Sequence, residues 1–354
     1  MNSTQLSVEM GPPFCPIHVS LGRRLPPSAT EAKAVLTFLT IINILAIPFT
    51  TVLNAMVIAA VKTKARMRAN KSNILLACLA TTDLMVGVGV QPVFTALMIT
   101  IIHGDYTSGS CTVEVATQRI SNLVCMASLV HLVLISGERF LAMKYTYEYN
   151  AGLVTEKRLL IASGVGWLLT LILYIPLFID KTVFYRLNNA FVALCLVTIV
   201  LCNITVFREV HRHEKGISSQ QITEEARRKF LKEKKAFKLT AIIFAMLFLC
   251  YMPLWTSRII LAFHRNRMST ETVYECLFVT STFLILNSLV NPVIYSVRVR
   301  QFRVAFVELT CRTANIAEAE QIEMRLFGSP NAEVRLESGQ QCHKTTKRGA
   351  GQEP

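Results

Sequence analysis

Seven long apolar stretches alternate with short polar breaks along the chain, at about residues 34–61, 72–102, 113–143, 158–179, 185–210, 237–263 and 274–297. A bilayer-spanning helix needs roughly 20 predominantly apolar residues, and each stretch meets that length. The pattern predicts an all-α membrane protein, a bundle over residues 34–297 with polar ends at 1–33 and 298–354. The bundle accounts for nearly the whole chain and leaves no room for a soluble catalytic domain.

Composition agrees. The chain is 52% hydrophobic and only 17% charged, against about a quarter charged in soluble domains. The charge is unevenly placed. The segments 62–71, 144–158 with Arg139, 208–238 and 298–348 carry 5, 4, 10 and 9 Lys or Arg residues, 28 of the 37. The alternate breaks carry 7. Basic residues stay in the cytoplasm, so the N-terminus is expected outside and the tail 312–354 inside. The net charge of +14 reports this asymmetry, and no nucleic-acid partner is needed to explain it. Residues 1–33 lack an apolar core, so the first stretch is expected to be the uncleaved targeting signal. Asn2-Ser3-Thr4 is a glycosylation sequon on the side where such sites are used.

Polar residues inside the apolar stretches carry the chemistry. Asp83 is a lone acid in the second stretch, and an acid at that depth needs partners and marks function. In the third, Ser121, Cys125, Ser128, Leu132, Ile135 and Arg139 recur every three or four residues and share one helix face. The seventh offers Asn287, Ser288 and Asn291, and the first offers Asn54. If these faces meet, Asp83 gains hydroxyl and amide neighbours. Such a cluster either holds a small hard cation or a proton, or is a neutral hydrogen-bonded structural element. Glu138-Arg139-Phe140 closes the third stretch, and its arginine reads either as an interfacial anchor or as half of a breakable ion pair with Glu233. The sixth has Pro253 at mid-depth, where a kink is expected.

In order, these residues resemble the motifs of rhodopsin-like (class A) G-protein-coupled receptors. They are Asn54, Leu79-Ala80-Thr81-Thr82-Asp83, Glu138-Arg139-Phe140, Trp167 with Pro176 beyond, Cys250-Tyr251-Met252-Pro253 and Asn291-Pro292-Val293-Ile294-Tyr295. The resemblance implies a plasma-membrane receptor that binds an extracellular ligand and activates a heterotrimeric G protein, with no enzymatic activity and no cofactor. It implies a sodium ion as allosteric modulator at Asp83, Ser128, Asn287, Ser288 and Asn291. It implies an activation switch comprising Glu138, Arg139, Glu233, Tyr251, Pro253, Pro292 and Tyr295. Residues 298–311 resemble the family's amphipathic helix along the inner membrane face, in contact with membrane lipid. The short connection between the fourth and fifth stretches is similar to that of melanocortin-type receptors.

The chain also departs from the family pattern. Tyr251 stands where a tryptophan is usual, and Cys195 and Asn203 fill places usually held by proline and tyrosine. Glu114 occupies the usual cysteine position, with Cys111 three residues earlier, and residues 180–190 offer no cysteine. The family's common disulfide is therefore expected to be absent and Cys111 dispensable, with Cys15 or Cys276 as its alternative partners. A ligand pocket is expected among Gln118, Ser121, Asn122, Cys125, Trp255, Arg258, Phe278 and Ser281. Family members that bind amines carry an acid where Ser121 stands, and retinal binders carry a lysine where Ile285 stands, so both ligands are disfavoured. Arg119 and Arg258 favour an acidic or lipid-like ligand, or else Arg119 reaches to headgroups and Arg258 pairs with Glu271 or Glu275. A transporter would be expected to show repeats or paired broken helices, and none is apparent. Nor is there a His-Glu-x-x-His or Gly-x-Ser-x-Gly motif.

Overall fold

The structure, a computed structural model, describes residues 30–104, 108–219, 237, 241–254, 256, 257, 260, 270–311 and 316–327. It divides into two units, one ending at Arg298 and one beginning at Val299. The first is a helix bundle. Its long helices are α1 (Thr30–Thr63), α2 (Lys71–His103), α3 (Ser108–Lys144), α4 (Glu156–Ile172), α5 (Lys181–Ser219) and α7 (Thr270–Arg298). All six are long and apolar enough to cross a bilayer. The described part of the sixth expected stretch is the apolar helix α6, Ala241–Leu254.

Helix α1 shows how the sequence sorts its faces. Leu36, Leu39, Asn43, Ala46, Thr50, Asn54, Val57 and Ala60 are buried, at the three-to-four spacing of one face. Phe38, Ile41, Leu45 and Phe49 lie exposed on the other. In a soluble protein such a face would demand a partner. Here it is the surface that lipid covers. Each buried hydroxyl or amide returns a hydrogen bond to the carbonyl four residues back, as Thr40, Asn43, Thr50 and Asn54 all do.

Helix α2 is not the unbroken helix that its apolar run suggests. A π-turn occupies Val86–Val90, directly before Pro92. Proline lacks an N–H and its ring crowds the carbonyl four residues back, and one wider turn absorbs that conflict. The turn brings Gly87 against α1, where an added Cβ would meet Thr50 and Thr51 at 3.0 Å. Gly104, at φ 80°, ends the helix.

Helix α3 is the central strut, buried almost continuously from Val124 to Leu132. A Cβ on Gly166 of α4 would come within 2.7 Å of Val130, so the two helices approach backbone to side chain there. Buried His131 hydrogen-bonds Ser163 at 2.8 Å and packs edge-on to Trp167. Helix α4 starts at Thr155, whose hydroxyl accepts from the Arg158 N–H, and it leads through a short 3-10 turn, Ile175–Phe178, into α5. The connection is as short as the sequence suggests.

Among the described residues the second unit has two helices, α8 (Arg300–Thr310) and α9 (Ile316–Phe327). Helix α8 falls within the expected 298–311 and begins after extended Val299. Helix α9 lies in what the sequence reading treats as tail. Val304 and Val307 pack with Ala319 and Ile322. Glu323, 1% exposed, takes Arg300 Nε at 3.1 Å and Arg303 Nε at 2.8 Å. The alternation of apolar and charged positions over 316–327 was the signal available for this helix.

Candidate functional site

Three polar layers stack through the bundle. In the middle one, Asp83 is 1% exposed. Asn291 Nδ2 donates to its Oδ2 at 2.8 Å, and the Ser288 side chain bears on the same carboxylate. Asp83 Oδ1 and Ser128 Oγ are buried without a hydrogen-bond partner. Asn54 Nδ2 donates to the Ser288 carbonyl at 3.0 Å, which ties α1 to α7. Asn287 is buried one position from Ser288, with no hydrogen bond to Asp83 among the described residues. About two to three turns outward, Asn43 Nδ2 donates to Thr282 Oγ1 and Gln91 Nε2 to Asn43 Oδ1, both at 3.3 Å. The sequence reading missed Asn43 and Gln91. Asn43 lies 11 residues before Asn54, three turns along the same face, and that spacing was the available signal.

Among the described residues, no three His, Cys, Asp or Glu side chains gather as a metal centre would need. A cation at Asp83 would have one carboxylate and neutral oxygens. That donor set suits a singly charged hard ion, and the two orphaned oxygens, Asp83 Oδ1 and Ser128 Oγ, are the atoms able to accept it.

The inner layer is a charge held closed. Arg139, 6% exposed, pairs with its neighbour Glu138 through Nε at 2.6 Å and a second guanidinium nitrogen at 2.8 Å. Glu138 also accepts from Ser72 Oγ at 2.8 Å and from the Tyr149 hydroxyl. Lys71 sits 4.5 Å over the Tyr149 ring. Ser72 and Tyr149 escaped the sequence reading because their contacts to Glu138 cross 66 and 11 residues. Glu233, the expected partner of Arg139, lies outside the described residues. Tyr251, Pro292 and Tyr295 are buried and Pro253 is half-buried. Asn203 of α5 reaches Ser136 of α3 at 3.5 Å.

The outer layer is a cavity of about 170 Å³. Gln118, Ser121, Asn122, Cys125, Phe278 and Ser281, six of the eight residues expected there, line it. The other two, Trp255 and Arg258, lie outside the described residues, as does Asn2. The Cys125 thiol lies between the side chains of Ser121 and Tyr251, and the Phe94 and Phe278 rings pack with centroids 5.6 Å apart. Helix α5 adds Tyr185 and Asn188, which the sequence reading did not place there. No periodic signal singles them out on a helix apolar all round. Arg119 also lines the cavity, its guanidinium 5.9 Å from the Phe184 ring and 5.7 Å from that of Tyr185.

The outer end carries a bridge other than the family's common one. Cys111 is disulfide-bonded, although residues 180–190 hold no cysteine. Of the two alternative partners, Cys276 is a free thiol and Cys15 lies outside the described residues.

Comparison with known proteins gives a consistent result. The family model described as "7 transmembrane receptor (rhodopsin family)" matches residues 53–190 and 180–295. The alpha-1A adrenergic receptor of Bos taurus is 27% identical over 278 residues, which is 64% of this chain and 58% of that protein. The Homo sapiens receptor of the same name is 26% identical over 289 residues, 66% of this chain and 60% of its own length. The chain thus spans about three-fifths of the length of these relatives.

Proposed function

The chain belongs to the rhodopsin family of seven-transmembrane receptors, and from that premise we propose that it is a G-protein-coupled receptor of the plasma membrane, with its N-terminus outside. A ligand entering the outer cavity would bear on Tyr251 and the α6 segment containing Pro253. A proline-bearing helix is a natural hinge. Rearrangement of α6 and α7 would then release Arg139 from Glu138 and present it to a heterotrimeric G protein. The observation that carries this reading is the inner layer. An arginine at a helix end would ordinarily extend to water. Arg139 is instead folded inward by Glu138, which Ser72 and Tyr149 hold from two other segments. A charge restrained by breakable contacts is a two-state element.

The relatives' name says that they are adrenergic receptors. We do not extend an amine ligand to this chain, because Ser121 replaces the acid expected to pair with an amine. A sodium ion at Asp83, accepted by Ser128 and its neighbours, would favour the resting arrangement. The test is nucleotide exchange on purified heterotrimeric G proteins, with the receptor challenged by a ligand library. Ligand-dependent exchange is expected, and Arg139→Ala should cut it by more than about tenfold, the loss expected when a charged contact worth about 1.5–3 kcal/mol is removed. Exchange unchanged in Arg139→Ala would refute the role given to the inner layer.

A further inference from the structure

Among the charged residues that line the outer cavity, Arg119 has an unusual set of neighbours. Its guanidinium faces two aromatic rings, Phe184 and Tyr185, and its carbonyl accepts the Tyr174 hydroxyl at 3.0 Å. Among the described residues no carboxylate pairs with it. The contrast with the protein's other clustered arginines is direct: Arg139 is closed by Glu138, and Arg300 and Arg303 by Glu323. Glu114, the acid lining the same cavity, is engaged elsewhere. It precedes Arg119 by five residues, which turns it about 140° away around the helix.

A guanidinium whose faces lie near rings keeps its edge N–H groups available. Those donors form a planar fork that matches a carboxylate with two parallel hydrogen bonds. On α5, one turn after Phe184 and Tyr185, Asn188 also lines the cavity; it is 4% exposed, and its Oδ1 has no hydrogen-bond partner. A buried acceptor left unsatisfied costs about 1–3 kcal/mol, and a ligand donor would recover that loss. The remaining wall is largely apolar, with Phe94, Leu97, Phe278 and Ile285 among its residues.

We propose that this cavity selects a small carboxylic acid with an apolar body, its carboxylate on the edge of Arg119 and a hydroxyl or N–H donated to Asn188. The assignment rests on the reading of the cavity as the ligand site, and it names the chemistry that site takes. Binding joins α3 to α5 through the ligand. An amine in the same place would set its charge against Arg119 and meet on α3 only the neutral acceptors of Thr117, Gln118, Ser121 and Asn122 beside the engaged Glu114.

The experiment uses purified full-length receptor in neutral detergent without G protein. The probes are aryl-propionic and medium-chain alkanoic acids, with and without a distal hydroxyl, each beside the amide and the amine of the same skeleton. Stabilisation against thermal unfolding is titrated. The acids should act at concentrations about tenfold or more below those of their matched amines, as expected for a charge-assisted pair. Arg119→Gln should erase that preference and Arg119→Lys should keep part of it. Asn188→Leu should weaken only the hydroxylated acids. A preference for amines, no stabilisation by any acid, or an acid preference that survives Arg119→Gln would each overturn the proposal. So would stabilisation by phosphatidylserine nanodiscs alone, which would make Arg119 a headgroup anchor. The readout is binding without a transducer. Acid binding with no nucleotide exchange therefore refutes the receptor reading alone, and exchange driven by other ligands with no acid binding refutes this inference alone.

Discussion

The middle layer and the outer cavity share helices α2, α3 and α7, yet they end in opposite states. Around Asp83 the chain closes most of its polar groups on itself: Asn291 onto Asp83, Asn54 onto Ser288, Asn43 onto Thr282, Gln91 onto Asn43. Around Arg119 and Asn188 it leaves donors and an acceptor facing a cavity. Burying an unmatched polar group is costly in both places. The first region meets that cost with intramolecular bonds, as a structural element does. The second leaves it open to be met by something that arrives. Asp83 Oδ1 and Ser128 Oγ, like Asn54 Oδ1 and Gln91 Oε1, are left without a hydrogen-bond partner; there the middle layer behaves like the cavity, and the first two mark where the proposed sodium ion would sit.

The sharpest way to break this contrast is to delete one amide from each region. Asn291→Ala removes the donor at 2.8 Å from Asp83 and strands a buried carboxylate. It should cost about 3 kcal/mol, at the upper end for a lost partner because the acceptor can carry charge. Asn188→Ala removes a buried acceptor that has no partner, so relief of the unsatisfied group offsets the lost packing and the variant should be destabilised far less than Asn291→Ala. Thermal unfolding of the purified, ligand-free receptor measures both. Equal costs would mean that the cavity is as self-satisfied as the middle layer.

A second expectation is smaller in energy but sharper in specificity. If the orphaned oxygens beside Asp83 accept a cation, sodium should stabilise the ligand-free receptor where equimolar potassium does not. Asp83→Asn keeps the side-chain size and removes the charge, so the sodium-specific stabilisation should vanish. Sodium stabilisation that persists in Asp83→Asn would place the ion elsewhere or remove it.

The same contrast explains what was legible in the sequence. The middle layer could be read because an acid, amides and hydroxyls stand out against apolar runs, and because helical spacing tells which of them share a face. That the faces carrying Asp83, Ser288 and Asn291 meet was implied by the family resemblance, since spacing within one helix does not say which other helix it faces. Glu138 and Arg139 were equally visible, but Arg139 was expected to meet Glu233 or the interface, and its pairing with Glu138 was not foreseen, nor were Ser72 and Tyr149. Nothing in a polar residue at a helix start or in a loop announces which distant carboxylate it will meet. On the outer side, the α3 lining followed from periodicity, whereas Tyr185 and Asn188 did not, since α5 lacks a polar stripe. The π-turn before Pro92 was hidden because a proline announces a disturbance without fixing its form. A bridge from Cys111 to Cys15 or Cys276 stayed open in the sequence, because connectivity does not follow from cysteine positions alone.

The smallest expected effect concerns arginines closed by the chain outside the bundle. Burial alone would raise the Glu323 carboxyl. The Arg303 and Arg300 guanidiniums beside it outweigh burial and hold it below the ordinary carboxylate value. A carboxyl depressed on folding contributes stability that is full above its unfolded value, about 4.3, and lost as pH falls through the lower folded value. Arg300 is 40% exposed, so water screens much of the attraction and the pairing is worth about 0.2–1 kcal/mol. Hydrogen exchange of Ile316–Phe327 in the full-length receptor, corrected for the intrinsic pH dependence of amide exchange, is the suitable probe. Protection should fall by at most about fivefold, the equivalent of 1 kcal/mol, as the carboxyl is protonated. Glu323→Gln should show the weaker protection at neutral pH and no further loss on acidification. Identical pH profiles for parent and variant would mean that Glu323 does not hold Arg300 and Arg303. These two arginines would then be as open to an external anion as Arg119, and the distinction between charges closed by the chain and charges left for a ligand would rest on the bundle alone.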